Sequence, residues 1–329
     1  MLDAMRARGA AVQIFDLAPR NKLAPLWQWF AFMAALLRSG RSGGALYLPL
    51  SGGVRQLIDL AFALPAKWLG LRIYVHHHSF AYLNHGPWHA RWAFGVLRGA
   101  THIVLCGSMG DKLAARYGIA FSRIRVLSNA AFMALAAEPG VLPHAAQPRI
   151  SLGFLSNITA EKGIFKFFDA VDALNAAGVD CHAVIAGPVD TSIQSAFAER
   201  MASFTNVEHM GPVYGAAKGQ FFGRIDVLLF PTQYSNEAEP VTLWEAMAQG
   251  VPVIALQRGC IQGMVPLEAG CVVDRPDDYV AAVVQEISAL RATPALLPAR
   301  RAAAKNAFIT ARAAYVQALD ALITEIHQP

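Results

Sequence analysis

The chain has 329 residues and a mass of 35.4 kDa, long enough to build two separate hydrophobic cores. Apolar residues make up 55% of it and charged residues 16%, a balance that excludes a disordered chain and describes an unusually apolar globular one. The formal charge of +5 is unevenly placed: residues 1–150 carry 16 Lys and Arg against 5 Asp and Glu, and residues 151–329 carry 12 against 18, as two domains with different partners would.

Along the chain, short β-branched apolar runs alternate with longer helical patterns, the form that parallel β-α-β units take in a sequence. Residues 1–8 read as the end of a helix and Gly9 as its cap. The next expected strand is 12–17. A doubly wound domain starts on a strand, so the first strand of this half, and the glycine-rich turn that would follow it, are missing from the pattern. The opening carries Asp3 and no apolar run leading to a small-residue cleavage site, which argues against a signal peptide. The apolar stretch 24–37 is about 14 residues and contains Gln28, short of the roughly 18–20 needed to span a bilayer. The four cysteines, Cys106, Cys181, Cys260 and Cys271, form no C-x-x-C pair and no metal spacing with His. Reduced thiols and a cytoplasmic location are the expectation.

Further strands are expected at 45–48, 72–76, 102–106 and 125–127. The third of these five strands runs directly into His76, His77 and His78, with His85 and His89 following. Loops at the carboxyl ends of parallel strands are where open α/β sheets hold ligands. Three consecutive histidines on an extended strand end cannot converge on one metal ion, so no metal site is expected. Residues 130–148, with Pro139, Gly140, Pro143 and Pro148, read as an interdomain linker. Strands at 150–155, 182–186, 207–209, 227–230, 253–256 and 271–273 then repeat the α/β pattern. A final helix at about 299–326 could pack on either domain. The expected organisation is an N-terminal domain over 1–140, a C-terminal domain over 149–305 and a terminal helix over 306–329.

Two segments of the second half carry chemistry. In YSNEAEPVTLWEAMAQGVPVIA (234–255), Pro240 suits the first position of a helix at 241–249, and Gly250 and Pro252 end it. Glu237 lies in the loop before that helix and Glu245 inside it. Two carboxylates so spaced can each bind hydroxyl groups while the helix N–H groups face a phosphate. In ISLGFLSNITAEKGIFKFFDA (150–170), a strand meets a polar loop and a helix that Thr159 can cap. Ile164, Phe167, Phe168, Val171 and Leu174 recur at helical spacing and should face the sheet. Lys162 and Gly163 fall in the first turn, where a lysine opposes the helix dipole unless an anion is present.

These segments, with the turn at 186–188, GPVYGAAKGQFFGRIDVLLFPT (211–232) and the E-x7-E spacing of Glu237 and Glu245, resemble the donor domain of the retaining family 4 glycosyltransferases. The resemblance implies the GT-B fold: two Rossmann-like α/β domains facing across a cleft, here with an N-terminal domain lacking its first strand. It implies transfer of a hexose-type sugar from a nucleotide-sugar, UDP- or GDP-linked, to an acceptor hydroxyl, with retention and without metal or other cofactor. Lys162 and Gly163 would meet the donor diphosphate, Glu237 the transferred sugar and Glu245 the ribose. Asn157, Gly187, Pro240 and Val241 would line the donor site, and backbone groups around Met210 and Val213 would hold the base. Family members often carry an arginine where Asn157 stands, and Asn lacks its charge and planar fork. His78 or His77 would face the transferred sugar from the acceptor side, one of the two being structural. Asn129 in LSNA (127–130) matches a strand-end asparagine and is equally suited to capping a turn.

The basic first half and the Trp-containing segment 25–37, flanked by Arg20, Lys22, Arg38 and Arg41, suit an anionic membrane surface or a lipid-linked acceptor at its inner face. The same segment also fits an ordinary amphipathic helix on the sheet. No nucleic-acid signature accompanies the charge. Two alternatives stay open beside a glycosyltransferase of glycan biosynthesis: a catalytically silent sugar-nucleotide-binding protein, and a nucleotide-sugar epimerase of the same fold.

Overall fold

The computed structural model describes residues 1–16, 24–39, 44–134 and 149–327. Most of the expected linker, together with Leu17, Arg20, Lys22 and Arg41, lies outside them. The chain divides into two compact units, Met1–Phe132 with Ala314–Pro329, and Met133–Ala313.

The first unit runs α1 (Leu2–Ala7), α2 (Ala24–Ser39), β1 (Ala45–Pro49), α3 (Gln56–Trp68), β2 (Arg72–His76), α4 (Ala81–His85), α5 (Trp88–Leu97), β3 (Thr101–Val104), α6 (Gly107–Tyr117) and β4 (Ile124–Val126). Its four strands are parallel and stand in the order β1-β2-β3-β4. Every crossover therefore steps the same way. Residues 12–16, expected to begin a strand, form none. These residues suit a strand, but a strand also needs a ladder, and among the described residues they are not part of the sheet.

The second unit runs β5 (Ile150–Leu155), α7 (Ile164–Ala176), β6 (Cys181–Ala186), α8 (Gln194–Ala202), β7 (Val207–His209), α9 (Ala216–Gly223), β8 (Val227–Phe230), α10 (Val241–Ala248), β9 (Val253–Leu256), α11 (Ile261–Met264), β10 (Gly270–Val273) and α12 (Tyr279–Ala292). Its six parallel strands stand in the order β10-β9-β8-β5-β6-β7. Both sheets are thus the parallel, helix-covered kind read from the sequence.

The last helix, α13 (Leu296–His327), contributes to both units. In the second, Arg301 donates to Asp226 at 2.6 Å, and the same carboxylate accepts the Ser151 N–H at 2.8 Å, which fixes the start of β5. In the first, Leu319, Leu322 and Ile323 pack with Met5, Tyr74 and Ile103, and Arg125 pairs with Glu325 at 2.8 Å. Asp320 of this segment pairs with Arg8.

The core of the second unit forms where the helical stripe predicts it. Ile164, Phe167, Phe168, Val171 and Leu174 are all fully buried against β5, β6 and α12. Burying a side chain of this size contributes about 1.5–3 kcal/mol each, so this stripe is the main fastening of α7 to the sheet. Cys181 and Cys271 carry free thiols.

Candidate active site

The strand order of the second unit fixes where a ligand can sit. From β5 the chain progresses outward through β6 and β7, then returns to the other side of β5 as β8 and continues outward through β9 and β10. The loops leaving the carboxyl ends of β5 and β8 therefore diverge and leave a crevice between them.

The loop after β5 ends in a tight turn. Thr159 Oγ1 accepts the Lys162 N–H at 3.1 Å, and the Gly163 N–H reaches the Ala160 carbonyl at 2.9 Å. Helix α7 starts only at Ile164, so Lys162 and Gly163 stand just before the first turn, a correction to the sequence reading. Gly163 is the cap residue, at φ +86°, and a Cβ there would lie 2.0 Å from the Pro231 carbonyl oxygen. The left-handed backbone and the contact both demand glycine. The turn is thereby pressed onto the loop after β8, where the Gln233 N–H also donates to Glu161 O at 2.8 Å.

This docking brings Lys162 to Glu237. The ammonium lies 2.6 Å from Glu237 Oε2 and 4.8 Å from the centre of the Tyr234 ring. The Thr232 hydroxyl donates to the same carboxylate oxygen at 3.2 Å. Glu237 is only 8% exposed, so the lysine compensates a nearly buried charge. The turn at Gly259 sits directly on the Glu237 carbonyl, with no room for a Cβ between them. Near it, the side-chain oxygens of Asn236 and Gln257 are buried without a hydrogen-bond partner. Buried acceptors of this kind match the hydroxyl donors of a ligand.

Pro240 precedes α10 as its cap in extended conformation, one position earlier than expected; its carbonyl already accepts the Leu243 N–H at 3.1 Å. Val241, the first helical residue, is exposed. Glu245, just over one turn inside α10, has both carboxylate oxygens on Lys218 of α9, at 2.8 and 3.0 Å. The sequence reading missed Lys218, Thr232, Tyr234, Asn236 and Gln257. Lys218 is 27 residues from its partner in the chain, and no local pattern ties the two together.

At the other side of β5, Gly187 knits three loops. Its N–H donates to Gly211 O at 2.9 Å, its carbonyl accepts from His209 Nε2 at 3.1 Å, and a Cβ would fall 1.8 Å from Ser156 O. Met210 extends the ladder by donating to Ile185 O at 2.9 Å, Val213 is buried, and Asn157 is exposed at the loop after β5. Among the described residues no three His, Cys, Asp or Glu side chains gather as a metal-binding group.

In the first unit the histidine run separates into different roles. His77 is fully buried; its Nδ1 lies 2.8 Å from the Tyr82 hydroxyl and its Nε2 3.0 Å from His102 Nδ1. His102 Nε2 lies 3.1 Å from Leu97 O, which can only accept. His102 therefore carries its proton on Nε2, His77 donates from Nε2, and His77 Nδ1 accepts from Tyr82. Both rings are neutral, and burial holds His77 well below the usual histidine range and His102 down to about 4. His77 has no nitrogen left for a substrate. His76, also buried and lowered to about 3 chiefly by desolvation, has Nδ1 2.5 Å from the Tyr47 hydroxyl and an unpartnered Nε2. His78 is the exposed member, its ring 4.1 Å from that of His76. Asn129 opens a short 3-10 turn after β4.

The two parallel, helix-covered sheets, with the reversal of strand order in the second, define a protein of the two-domain GT-B class. Solved structures share that fold. TarM of S. aureus superposes with a TM-score of 0.70 at 13% identity, over 92% of this chain and 58% of that one. A glycosyltransferase from Rickettsia africae ESF-5 gives 0.70 at 13% identity, over 99% and 87%. Anabaena Alr3699/HepE in complex with UDP gives 0.69 at 15% identity, over 97% and 89%. The chain thus spans less than two thirds of the length of TarM. A comparison with curated protein sequences gives no match. Residues 149–292, within the chain's second unit, match the family model described as Glycosyl transferases group 1.

Proposed function

We propose that this protein transfers a hexose-type sugar from a nucleoside-diphosphate sugar, UDP- or GDP-linked, to an acceptor hydroxyl on a glycan or lipid-linked acceptor, with retention of configuration. The observation that carries the reading is the Lys162–Glu237 pair at the crevice between β5 and β8, where a cation for phosphate and a carboxylate for hydroxyls are held 2.6 Å apart. A ligand that is anionic at one end and hydroxylated at the other answers both groups at once.

In the reaction, the bond from the anomeric carbon to the diphosphate oxygen breaks, a bond from that carbon to the acceptor oxygen forms, and the acceptor proton passes to the departing diphosphate. Lys162 offsets the charge growing on that diphosphate, assisted by N–H groups at the starts of α7 and α10. Glu237 accepts hydrogen bonds from sugar hydroxyls, with Asn236 and Gln257 as further acceptors. Glu245, oriented by Lys218, receives the ribose hydroxyls. His78 is the acceptor-side group. No step calls on a metal ion.

The test is calorimetric titration of the purified chain with UDP, GDP, ADP and their sugar conjugates, followed by product analysis with and without acceptor. Binding of one base class that is lost in Lys162→Ala and Glu245→Ala, with transfer to an acceptor, is the expected result. Absence of any nucleotide binding by a folded chain would sink the proposal. Binding without turnover would favour the silent reading.

A further inference from the structure

Three helices of the first unit carry apolar residues outside the face that each buries. Helix α2 packs on α3 through Phe32 and Phe62, ring centres 5.1 Å apart, and through a Trp29 Nε1 bond to Ala61 O at 2.9 Å. Helix α3 in turn meets α5, where Lys67 Nζ donates to Val96 O at 2.7 Å. Each already buries a face, with Phe32 and Leu36, with Leu60, Phe62 and Ala63, and with Phe94 and Leu97.

The outward faces are nevertheless apolar and aromatic. Trp27 is 68% exposed and Phe30 51% on α2, Leu64 49% and Trp68 88% on α3, and Trp88 64% and Trp92 70% on α5. The spacings 27–30, 64–68 and 88–92 are those of single helical stripes. Scattered exposed apolar residues need no explanation, but six on three neighbouring helices, four of them tryptophan, do.

The charges on these helices say what covers the face. Arg38, Arg55, Lys67, Arg91 and Arg98, on or at the ends of the three helices, are exposed. The only acid in α2, α3 or α5 is Asp59, which is 1% exposed and turned inward to Ser51 N and Oγ at 2.7 and 3.0 Å. A protein partner of mixed charge would not select a surface with cations and no exposed carboxylate. An anionic lipid surface would, and it also suits tryptophan, whose amphipathic ring settles at the headgroup level.

We propose that the outer faces of α2, α3 and α5 form one docking surface for a bilayer rich in anionic lipid, on which the three helices lie without crossing it. No single helix among the described residues is long and apolar enough to cross a membrane. This extends the expectation held for residues 25–37 alone to α3 and α5, and it does not depend on the donor reading.

The experiment is co-sedimentation of the full chain, without nucleotide, with vesicles of phosphatidylcholine alone and of phosphatidylcholine with phosphatidylglycerol, at low and high salt. Binding at least about tenfold tighter to the anionic vesicles, weakened by salt and accompanied by a blue shift of tryptophan emission, is expected. The pair Trp68→Ser/Trp92→Ser and, separately, the pair Arg91→Glu/Arg98→Glu should each weaken it by about tenfold or more while leaving the thermal unfolding curve in place. No binding to either vesicle would overturn the proposal, as would equal binding to both. Concentration-dependent self-association abolished by the tryptophan pair would also overturn it, assigning the face to a second copy of the chain. Because no nucleotide is present, loss of the donor reading would leave each of these outcomes interpretable.

Discussion

The Lys162 ammonium and the Glu237 carboxylate, 75 residues apart in the chain, meet at 2.6 Å across the two loops that diverge at the switch in strand order. Each compensates the other's charge. Removing either leaves the other poorly compensated in a largely enclosed place. Lys162→Ala should weaken nucleoside-diphosphate binding by about 1.5–3 kcal/mol, roughly 10- to 150-fold, measured by calorimetry. Glu237→Gln should preserve binding of the free diphosphate more than it preserves transfer, read as a fall in kcat. A Lys162→Ala chain that binds UDP and GDP as the wild type does would contradict the role given to this pair.

Gly163 makes that meeting possible. Gly163→Ala places a Cβ 2.0 Å from a backbone oxygen at a φ of +86°. The turn has to open, with a cost of about 1–3 kcal/mol in unfolding free energy. Denaturant midpoints should fall accordingly, and nucleotide binding should fall with them because Lys162 moves. A variant as stable as the wild type would show that the turn has room it does not display.

Lys218 acts through Glu245. Taking away its bidentate hold frees the carboxylate to rotate, so Lys218→Met should raise the donor KM by about three- to tenfold with kcat nearly unchanged. The discrimination between a nucleotide and its 2′-deoxy analogue should narrow in parallel. A merely structural lysine would shift stability and leave that discrimination alone.

Histidine burial gives the first unit a pH dependence. His76, His77 and His102 are neutral in the folded chain, with pKa values displaced below the ordinary 6.5 by desolvation. Between about pH 6.5 and pH 4 the unfolded chain binds these protons and the folded chain does not, so stability is greatest above 6.5 and falls as the pH is lowered. Each ring contributes a slope of about 1.4 kcal/mol per pH unit in that window. Denaturation of the full chain across pH 4–7 measures it, and a flat profile would contradict the assignment. His77→Phe, which leaves the Tyr82 hydroxyl and His102 Nδ1 without their bonds, should cost about 2–5 kcal/mol at neutral pH and flatten the slope.

The parallel strands, the core stripe of α7 and the carboxylates of 234–255 could be read from the residues because each depends on neighbours close in the chain: alternation, helical spacing, a proline before a helix and a glycine after it. The segment 12–16 shows the opposite case. Its residues suit a strand, yet strand formation also needs a ladder, and among the described residues the segment is not part of the sheet. Thr159 looked like the cap of α7 and instead closes a turn, because Gly163 has to be flattened against the loop after β8.

By itself, then, the sequence determined the class of fold and the order of most of the elements, since these follow from local periodicity and short spacing, and it singled out Lys162, Glu237 and Glu245 through the resemblance that their segments carry. Only the tertiary structure decided which histidine of the run is enclosed and which is exposed, that Lys218 holds Glu245, and that three helices carrying exposed tryptophans pack side by side. Those are matters of which distant segments are brought together by burial and strand order, and no local pattern records them.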